Sequence, residues 1–207
     1  MMLAYKAWRE SQVRFLLSAA ALAWFCSLFL LVRHSVRTAA ERPYADFVAG
    51  NVYGSGIRTL YTIFVLVLGL GGLVPERAHG SVGFTLALPV RRLRLVVVRA
   101  AAGIAQVAAL ALVPTLVVLA LSRFVSETYP AGDALRRSGQ WAAIGIEAFA
   151  AAMLASVVFE PFTALGVSLA ATFLYAAVMG APPALIALIV AAAMVTSAAW
   201  ITERQDF

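Results

Sequence analysis

Long runs of apolar residues, bounded by arginine, dominate the pattern of the chain. The first charge-free run extends from Phe15 to Val32, between Arg14 and Arg33. A helix needs about 20 mostly apolar residues to cross the hydrocarbon core of a bilayer, so a run of this length predicts a transmembrane helix. The apolar residues do not alternate with polar ones at period two, which argues against the strands of a membrane β-barrel.

Six spans of this kind are predicted. The charge-free stretch from Pro161 to Thr202 is too long for one crossing, and it is divided at 180–183, because glycine and consecutive prolines end helices. The predicted spans lie near residues 15–32, 58–75, 98–122, 139–159, 161–179 and 184–201. The expected fold is an all-α integral membrane protein with a single transmembrane domain over residues 1–207.

The composition agrees with a bilayer environment. Of the 207 residues, 63% are hydrophobic and 13% are charged, and the mean hydropathy is +0.91. A soluble domain is nearer half apolar and a quarter charged. The net charge is +6, but the arginines cluster at the ends of apolar runs. That placement favours contact with anionic lipid headgroups over contact with nucleic acid.

Two polar segments leave alternatives open. The segment Lys6–Arg14 precedes the first span and contains Trp8, which suits an interfacial helix. It is either an ordinary membrane anchor or a cytoplasmic elbow helix that also contacts a partner. The segment 33–58 is expected to be a flexible loop with a short interfacial helix. Its Gly50 and Gly54 form a Gly-x-x-x-Gly pair that can let two helices approach closely.

A short element between the second and third spans carries the most informative pattern. Pro75 and Pro89 bracket about thirteen residues, which are too few to cross a bilayer. The apolar spacing fits a short cytoplasmic helix at 76–88, and an alternating pattern in the same residues also permits a strand. The densest basic cluster of the chain follows directly, and it favours a cytoplasmic position: Arg91, Arg92 and Arg94.

The order of residues in this element is Glu76, then Gly80-Ser81, then Leu86-Ala-Leu-Pro-Val-Arg-Arg92. This order resembles the loop after the second span in ABC type 2 transporter permeases, where a glutamate is followed by Gly-Thr, Leu-x-x-Pro and a basic residue. Ser81 stands where threonine is commoner. The segments Trp8–Ser11 and Gln205–Phe207 resemble a bacterial branch of the same family.

The resemblance implies a half-transporter whose six spans pair with a second permease half, identical or paralogous. A separate cytoplasmic ABC ATPase would dock on the coupling loop at 76–90. By position, the residues that contact the ATPase would be Glu76, Arg77, His79, Gly80, Ser81, Phe84 and Thr85. The chain itself would bind no cofactor, since ATP and Mg would be held by the partner.

The same resemblance implies a multi-pass exporter subunit of the bacterial plasma (inner) membrane. Six spans place both termini on one side, and the basic cluster after Pro89 favours the cytoplasmic side. The expected surroundings are membrane lipids, and no nucleic-acid partner is expected. One feature departs from the family pattern. Short re-entrant helices often lie between its fifth and sixth spans, and Gly180–Pro183 leaves almost no room for them.

The residues do not suggest an enzyme. The sequence contains no Gly-x-x-x-x-Gly-Lys phosphate-binding loop, and its only lysine is Lys6. No cysteine and histidine residues have the spacing of metal ligands. No base, nucleophile and electrostatic stabiliser occur together. We therefore expect no catalytic residues and no metal site, and ATP hydrolysis is assigned to a partner.

Glu147 is the one charged residue that the sequence places near the middle of a predicted span. A charged carboxylate in a bilayer is costly, so it should face protein or a water-filled path. It either lines a translocation path or holds helices together by hydrogen bonds, with Ser156 or Thr172 as possible partners. The alternative function that follows is an ion-coupled carrier or channel that uses Glu147 and needs no ATPase.

Overall fold

The computed structural model describes residues 2–35, 43–70, 92–124, 127–159, 161–179 and 184–204. These residues form helices joined by short connections, without strands. In chain order they are α1 (Met2–Ser35), α2 (Tyr44–Phe47) with a following π-helical turn (Val48–Val52), α3 (Ser55–Leu70), α4 (Arg92–Phe124), α5 (Ala131–Val158), α6 (Pro161–Met179) and α7 (Ala184–Arg204). The prediction of an all-helical fold is confirmed for the described residues.

Five helical segments in the described residues are long and apolar enough to cross a membrane: Ala7–Arg33, Tyr44–Leu70, Arg94–Phe124, Ala131–Val158 and Ala184–Thr202. Helices suit this environment because every backbone N–H and C=O in lipid must bond within the protein. The helix α6 is not among the five. A sixth crossing at 161–179 and the coupling helix at 76–88 therefore remain predictions.

The helices extend beyond the predicted apolar spans and continue through charged residues. The helix α4 begins at Arg92, ahead of the predicted start at 98, and α5 begins at Ala131, directly after Pro130, ahead of the predicted start at 139. Charges end an apolar run, but they do not interrupt the backbone hydrogen bonds between each residue and the fourth before it. The predicted end of the second span, 71–75, lies outside the described residues.

The segment before α3 is packed into the bundle. Tyr44, Phe47 and Val52 are buried, so the expectation of a flexible loop is wrong for residues 43–54, although a short helix is present there. Among the described residues, no other helix supplies the atoms nearest to a Cβ at Gly50 or Gly54, so a helix–helix contact through this pair stays a prediction. A Cβ at Gly54 would overlap the carbonyl of Gly50 in the same chain, and nothing lies within 4 Å of the corresponding atom at Gly50.

The helix α5 is central, and it packs against α3, α4, α6 and α7. Glycines permit the closest approaches. A Cβ at Gly69 of α3 would lie 2.7 Å from the Cβ of Ala152 and 2.9 Å from the carbonyl oxygen of Phe149. One at Gly103 of α4 would overlap the ring of Phe149, and one at Gly145 of α5 would overlap the Tyr61 hydroxyl. These three glycines bring α3, α4 and α5 together.

The helices α1 and α7 form part of the periphery. Large apolar side chains on their outer faces are exposed, including Leu17 and Trp24 on α1 and Leu185 and Ile189 on α7. In water such surfaces would be unfavourable, whereas lipid chains solvate them at no cost. The distribution of apolar side chains, buried at the centre and exposed at the rim, fits a membrane-embedded multi-pass protein.

We expect Gly69→Ala to lower the thermal unfolding midpoint of the full-length protein in detergent. The added methyl has no room beside the Phe149 carbonyl, and overpacking of this kind costs about 1–3 kcal/mol. Gly166→Ala is the matched control, because nothing lies within 4 Å of the added atom on α6. Equal midpoints for the two variants would contradict the packing described for α3 and α5.

Candidate functional site

The residues of the predicted coupling loop lie outside the described part of the chain: Glu76, Arg77, His79, Gly80, Ser81, Phe84 and Thr85. Their role stays a prediction. The flanking helices nevertheless locate both ends of the segment 71–91. Gly69, near the end of α3, and Gly103, in the first half of α4, both lie against Phe149. The last residues of α3 and the first residues of α4 therefore lie at the same end of the bundle.

The beginning of α1 lies at this end as well. Arg99 of α4 donates a hydrogen bond from Nη2 to Oε2 of Glu10, at 2.8 Å, and the two side chains form an ion pair. Further along the same two helices, Nε2 of Gln106 donates to Oγ of Ser11 at 2.7 Å. These four residues, Glu10, Ser11, Arg99 and Gln106, form an N-terminal clamp between α1 and α4. Gln106 is almost completely buried, so its bond to Ser11 satisfies a polar group that water does not reach.

The segment Lys6–Arg14 is the first part of α1 and not a separate elbow helix. The helix continues without interruption into the apolar run that begins at Phe15. The half-exposed ring of Trp8 packs against Phe15, with ring centroids 5.8 Å apart. Tryptophan beside basic residues is typical of a helix at the membrane–water interface.

Glu147 is buried within α5, with 9% of its surface exposed. Gly145 and Phe149 face α3 and α4, and residues two positions apart on a helix point about 200° apart. Glu147 therefore lies on the side of α5 that faces away from these contacts with α3 and α4. Among the described residues, none forms a hydrogen bond or ion pair with its carboxylate. An unpartnered buried carboxylate is costly in this setting.

The two hydroxyls proposed as partners of Glu147 bond elsewhere. Oγ of Ser156 donates to the carbonyl of Met153 at 2.7 Å, and Oγ1 of Thr172 donates to the carbonyl of Ser168 at 2.8 Å. Each satisfies its own helix backbone. The interpretation of Glu147 as a carboxyl that holds helices together through Ser156 or Thr172 is therefore wrong.

A group of hydroxyl and aromatic side chains occupies the other half of the bundle, away from the segment 71–91. We call it the hydroxyl–aromatic cluster, and it consists of Tyr53, Tyr61, Thr115, Ser138 and Trp141. Oγ1 of Thr115 lies 3.0 Å from the Tyr53 hydroxyl and 2.6 Å from Oγ of Ser138, and it donates to the carbonyl of Ala134 at 3.1 Å. Threonine has one hydroxyl proton, so Tyr53 and Ser138 both donate to Thr115.

The rings of the cluster are also fixed. The Tyr61 hydroxyl donates to the carbonyl of Trp141 at 3.1 Å, and the two ring centroids are 5.1 Å apart. Tyr53 meets Trp141 edge-on at 5.8 Å and stacks with Tyr129 at 6.3 Å. Such pairs add to the energy of burial when one ring is offset from or tilted against the other. The cluster thereby joins α4 and α5 to the segment that leads into α3.

A second polar contact closes the same end of the bundle. The Tyr44 and Ser122 hydroxyls are 2.6 Å apart and join α2 to the end of α4. The guanidinium of Arg33, at the end of α1, lies 4.8 Å from the centre of the Tyr44 ring, and its Nη1 is 3.6 Å from Oε1 of Glu127. The end of α1 is therefore held to α2 and to the connection between α4 and α5.

Sequence reasoning missed the hydroxyl–aromatic cluster. The polar residues inside or beside apolar runs, above all Thr115 next to Pro114, were the available signal. That signal does not show which residues meet, because the three bonded hydroxyls come from separate segments of the chain. Chemically, the cluster pairs hydroxyls with one another and with carbonyls. Within the described ranges, no His, Cys, Asp and Glu residues are grouped closely enough to hold a metal ion.

We expect Thr115→Val to lower the free energy of unfolding by about 1–2 kcal/mol, because two buried hydroxyls lose their common acceptor while the side-chain volume is kept. Thermal unfolding of the full-length protein measures the effect. Thr196→Val is the control, since the Thr196 hydroxyl is exposed on α7 and bonds only to the carbonyl of Ala193. A midpoint for Thr115→Val as high as that of the control would contradict the described role of Thr115.

Comparison of the chain with protein-family models, curated proteins and solved structures finds no match. The function must therefore be argued from the residues themselves and from their placement in the bundle.

Proposed function

We propose that this chain is the membrane-spanning permease subunit of an ATP-driven ABC exporter. The observation that carries the proposal is the order of residues from Glu76 to Arg92, which resembles the coupling loop of ABC type 2 permeases. In this role the chain forms half of the translocation path. It pairs with a second permease half and with a separate cytoplasmic ABC ATPase, which binds the ATP and Mg.

The positions of the end of α3 and the start of α4 support this proposal. A loop that transmits force from a soluble motor must project from one end of the bundle and be tied to more than one membrane helix. The segment connects α3 to α4 at a single end of the bundle. The N-terminal clamp ties the adjacent part of α4 to α1 through Glu10 and Arg99. A displacement of the loop by the ATPase would thus be transmitted to α1, α3 and α4 together.

The mechanism follows from this arrangement. ATP binding closes the ATPase dimer, the helix at 76–88 carries that motion, and the two permease halves rock between inward-open and outward-open forms. Transport needs an ATPase that binds these two forms with different affinity, because a partner with equal affinity for both shifts nothing. We place the protein in the bacterial plasma membrane with both termini cytoplasmic, so that the end bearing 71–91 meets the ATPase.

The first test concerns the loop. Glu76→Lys reverses a charge and Ser81→Pro breaks a helix, so we expect both variants to lose most of the ATPase activity that co-purifies with the tagged chain. Asp46→Lys is the control, because Asp46 is exposed on α2 at the opposite end. The measurement is ATP hydrolysis per tagged subunit after purification at equal membrane levels. Wild-type hydrolysis in both loop variants would argue against ATPase docking on this loop.

The buried carboxylate of Glu147 supports one alternative, an ion-coupled carrier or channel without an ATPase. An intramembrane ionisable group that has no partner is the kind of residue that binds and releases ions along a path. In this case the driving force would be an ion gradient, and nothing would need to dock on the segment 76–90.

Proton flux into liposomes separates the two functions. If Glu147 carries protons, a pH gradient drives flux through the purified full-length chain without ATP, and Glu147→Gln abolishes it. Asp46→Asn, which neutralises an exposed carboxylate, should leave that flux unchanged. For the ATP-driven exporter we expect no such flux from the wild type. Flux that depends on Glu147 and not on ATP would overturn the exporter proposal in favour of the carrier.

A further inference from the structure

Arg137 is a partly buried arginine without an anionic partner. It lies in the second turn of α5, and its Nε is buried and has no hydrogen-bond acceptor among the described residues. No carboxylate of those residues forms an ion pair with it. Asp133, one turn earlier, is exposed and does not pair with Arg137, and Glu127 pairs with Arg33. A ligand does not reach the buried Nε, but the two Nη groups also lack an acceptor among the described residues, and they are the donors that a ligand would use.

The guanidinium is also held in place. Its central carbon lies 5.8 Å from the centre of the Tyr53 ring. Tyr53 is buried and immobilised by its hydrogen bond to Thr115 and by its contacts with Tyr129 and Trp141. A cation above a fixed ring loses little conformational entropy when it binds a ligand, because its orientation is already set.

The depth of Arg137 indicates which anions can reach it. A stretch of α5 without charges begins at Ser138, the residue after Arg137, and continues to Glu147. Arginine at the start of an apolar membrane helix lies near the headgroup level, where phosphate esters are the prevailing anions. The planar fork of arginine donates two parallel hydrogen bonds to phosphate, and the adjacent exposed Arg136 adds a second positive charge.

We propose that Arg137, positioned by the Tyr53 ring, binds a phosphate ester at the membrane surface opposite the segment 71–91. The ester is either the headgroup of an anionic phospholipid or the phosphate of a soluble molecule. Binding at this site does not require an ATPase, so the proposal can be tested independently of the proposed transport function.

The test uses native mass spectrometry of the full-length chain, purified in mild detergent with the subunits that accompany it and titrated with phosphatidylglycerol. Arg137→Gln should weaken binding of the first lipid by about tenfold or more, since a charge-assisted pair is lost. Arg136→Gln is the matched control with the same change of charge, and its affinity should stay within about twofold of the wild type, since an exposed charge contributes little. Diacylglycerol with the same acyl chains has no phosphate, so its affinity should be the same for the wild type and for the variants.

Arg137→Lys is a second variant that keeps the proposal testable if Arg137→Gln fails to fold. Lysine keeps the charge but lacks the planar fork, so we expect binding between those of the wild type and Arg137→Gln. Glycerol 3-phosphate as a competitor separates the two sources of the ester. If glycerol 3-phosphate displaces phosphatidylglycerol from the wild type but not from the Arg137 variants, the site binds soluble phosphate esters. If glycerol 3-phosphate displaces no lipid, the site binds phospholipid. Unchanged affinity in both Arg137 variants, or an equal loss in Arg136→Gln, would overturn the proposal.

Discussion

The close approach of α3, α4 and α5 at Gly69, Gly103 and Gly145 is the contact on which the rest of the bundle depends. In a bilayer, burial of apolar side chains drives helices together only weakly, because lipid chains are equally apolar. Helix association depends instead on van der Waals packing and on hydrogen bonds between helices. The three glycines admit Phe149, Ala152 and the Tyr61 ring at distances that a side chain would block. Without that approach, Tyr61 would not reach the Trp141 carbonyl.

The polar contacts at the two ends extend this core in different directions. At the end that bears the segment 71–91, the N-terminal clamp fastens α1 to α4. At the other end, Thr115 is hydrogen-bonded to hydroxyls of the segment before α3 and of α5. A bundle held at both ends and packed at its centre moves as one body more readily than helix by helix. The rocking of two permease halves that we propose suits such a unit.

Much of the fold was predictable because lipid restricts what a backbone can do. Apolar runs long enough to cross a bilayer must be helical, and the helices do cover those runs as far as they are described. Burial of Glu147 was equally predictable, since a carboxylate avoids lipid. Contact partners were not predictable. The Ser156 and Thr172 hydroxyls bond to carbonyls of their own helices, and the atoms nearest to a Cβ at Gly54 belong to Gly50 and Asn51 of the same segment.

The sequence by itself determined the membrane-embedded character and the helical class of the protein, because hydropathy is a property of each run taken alone. It also singled out Glu147 and the segment from Glu76 to Arg92. Only the tertiary structure decided which helices are neighbours and which polar groups meet. The reason is physical: Tyr53, Thr115 and Ser138 belong to three segments with no shared periodicity, and their hydroxyls come within hydrogen-bonding distance only after the glycines have let the helices close together.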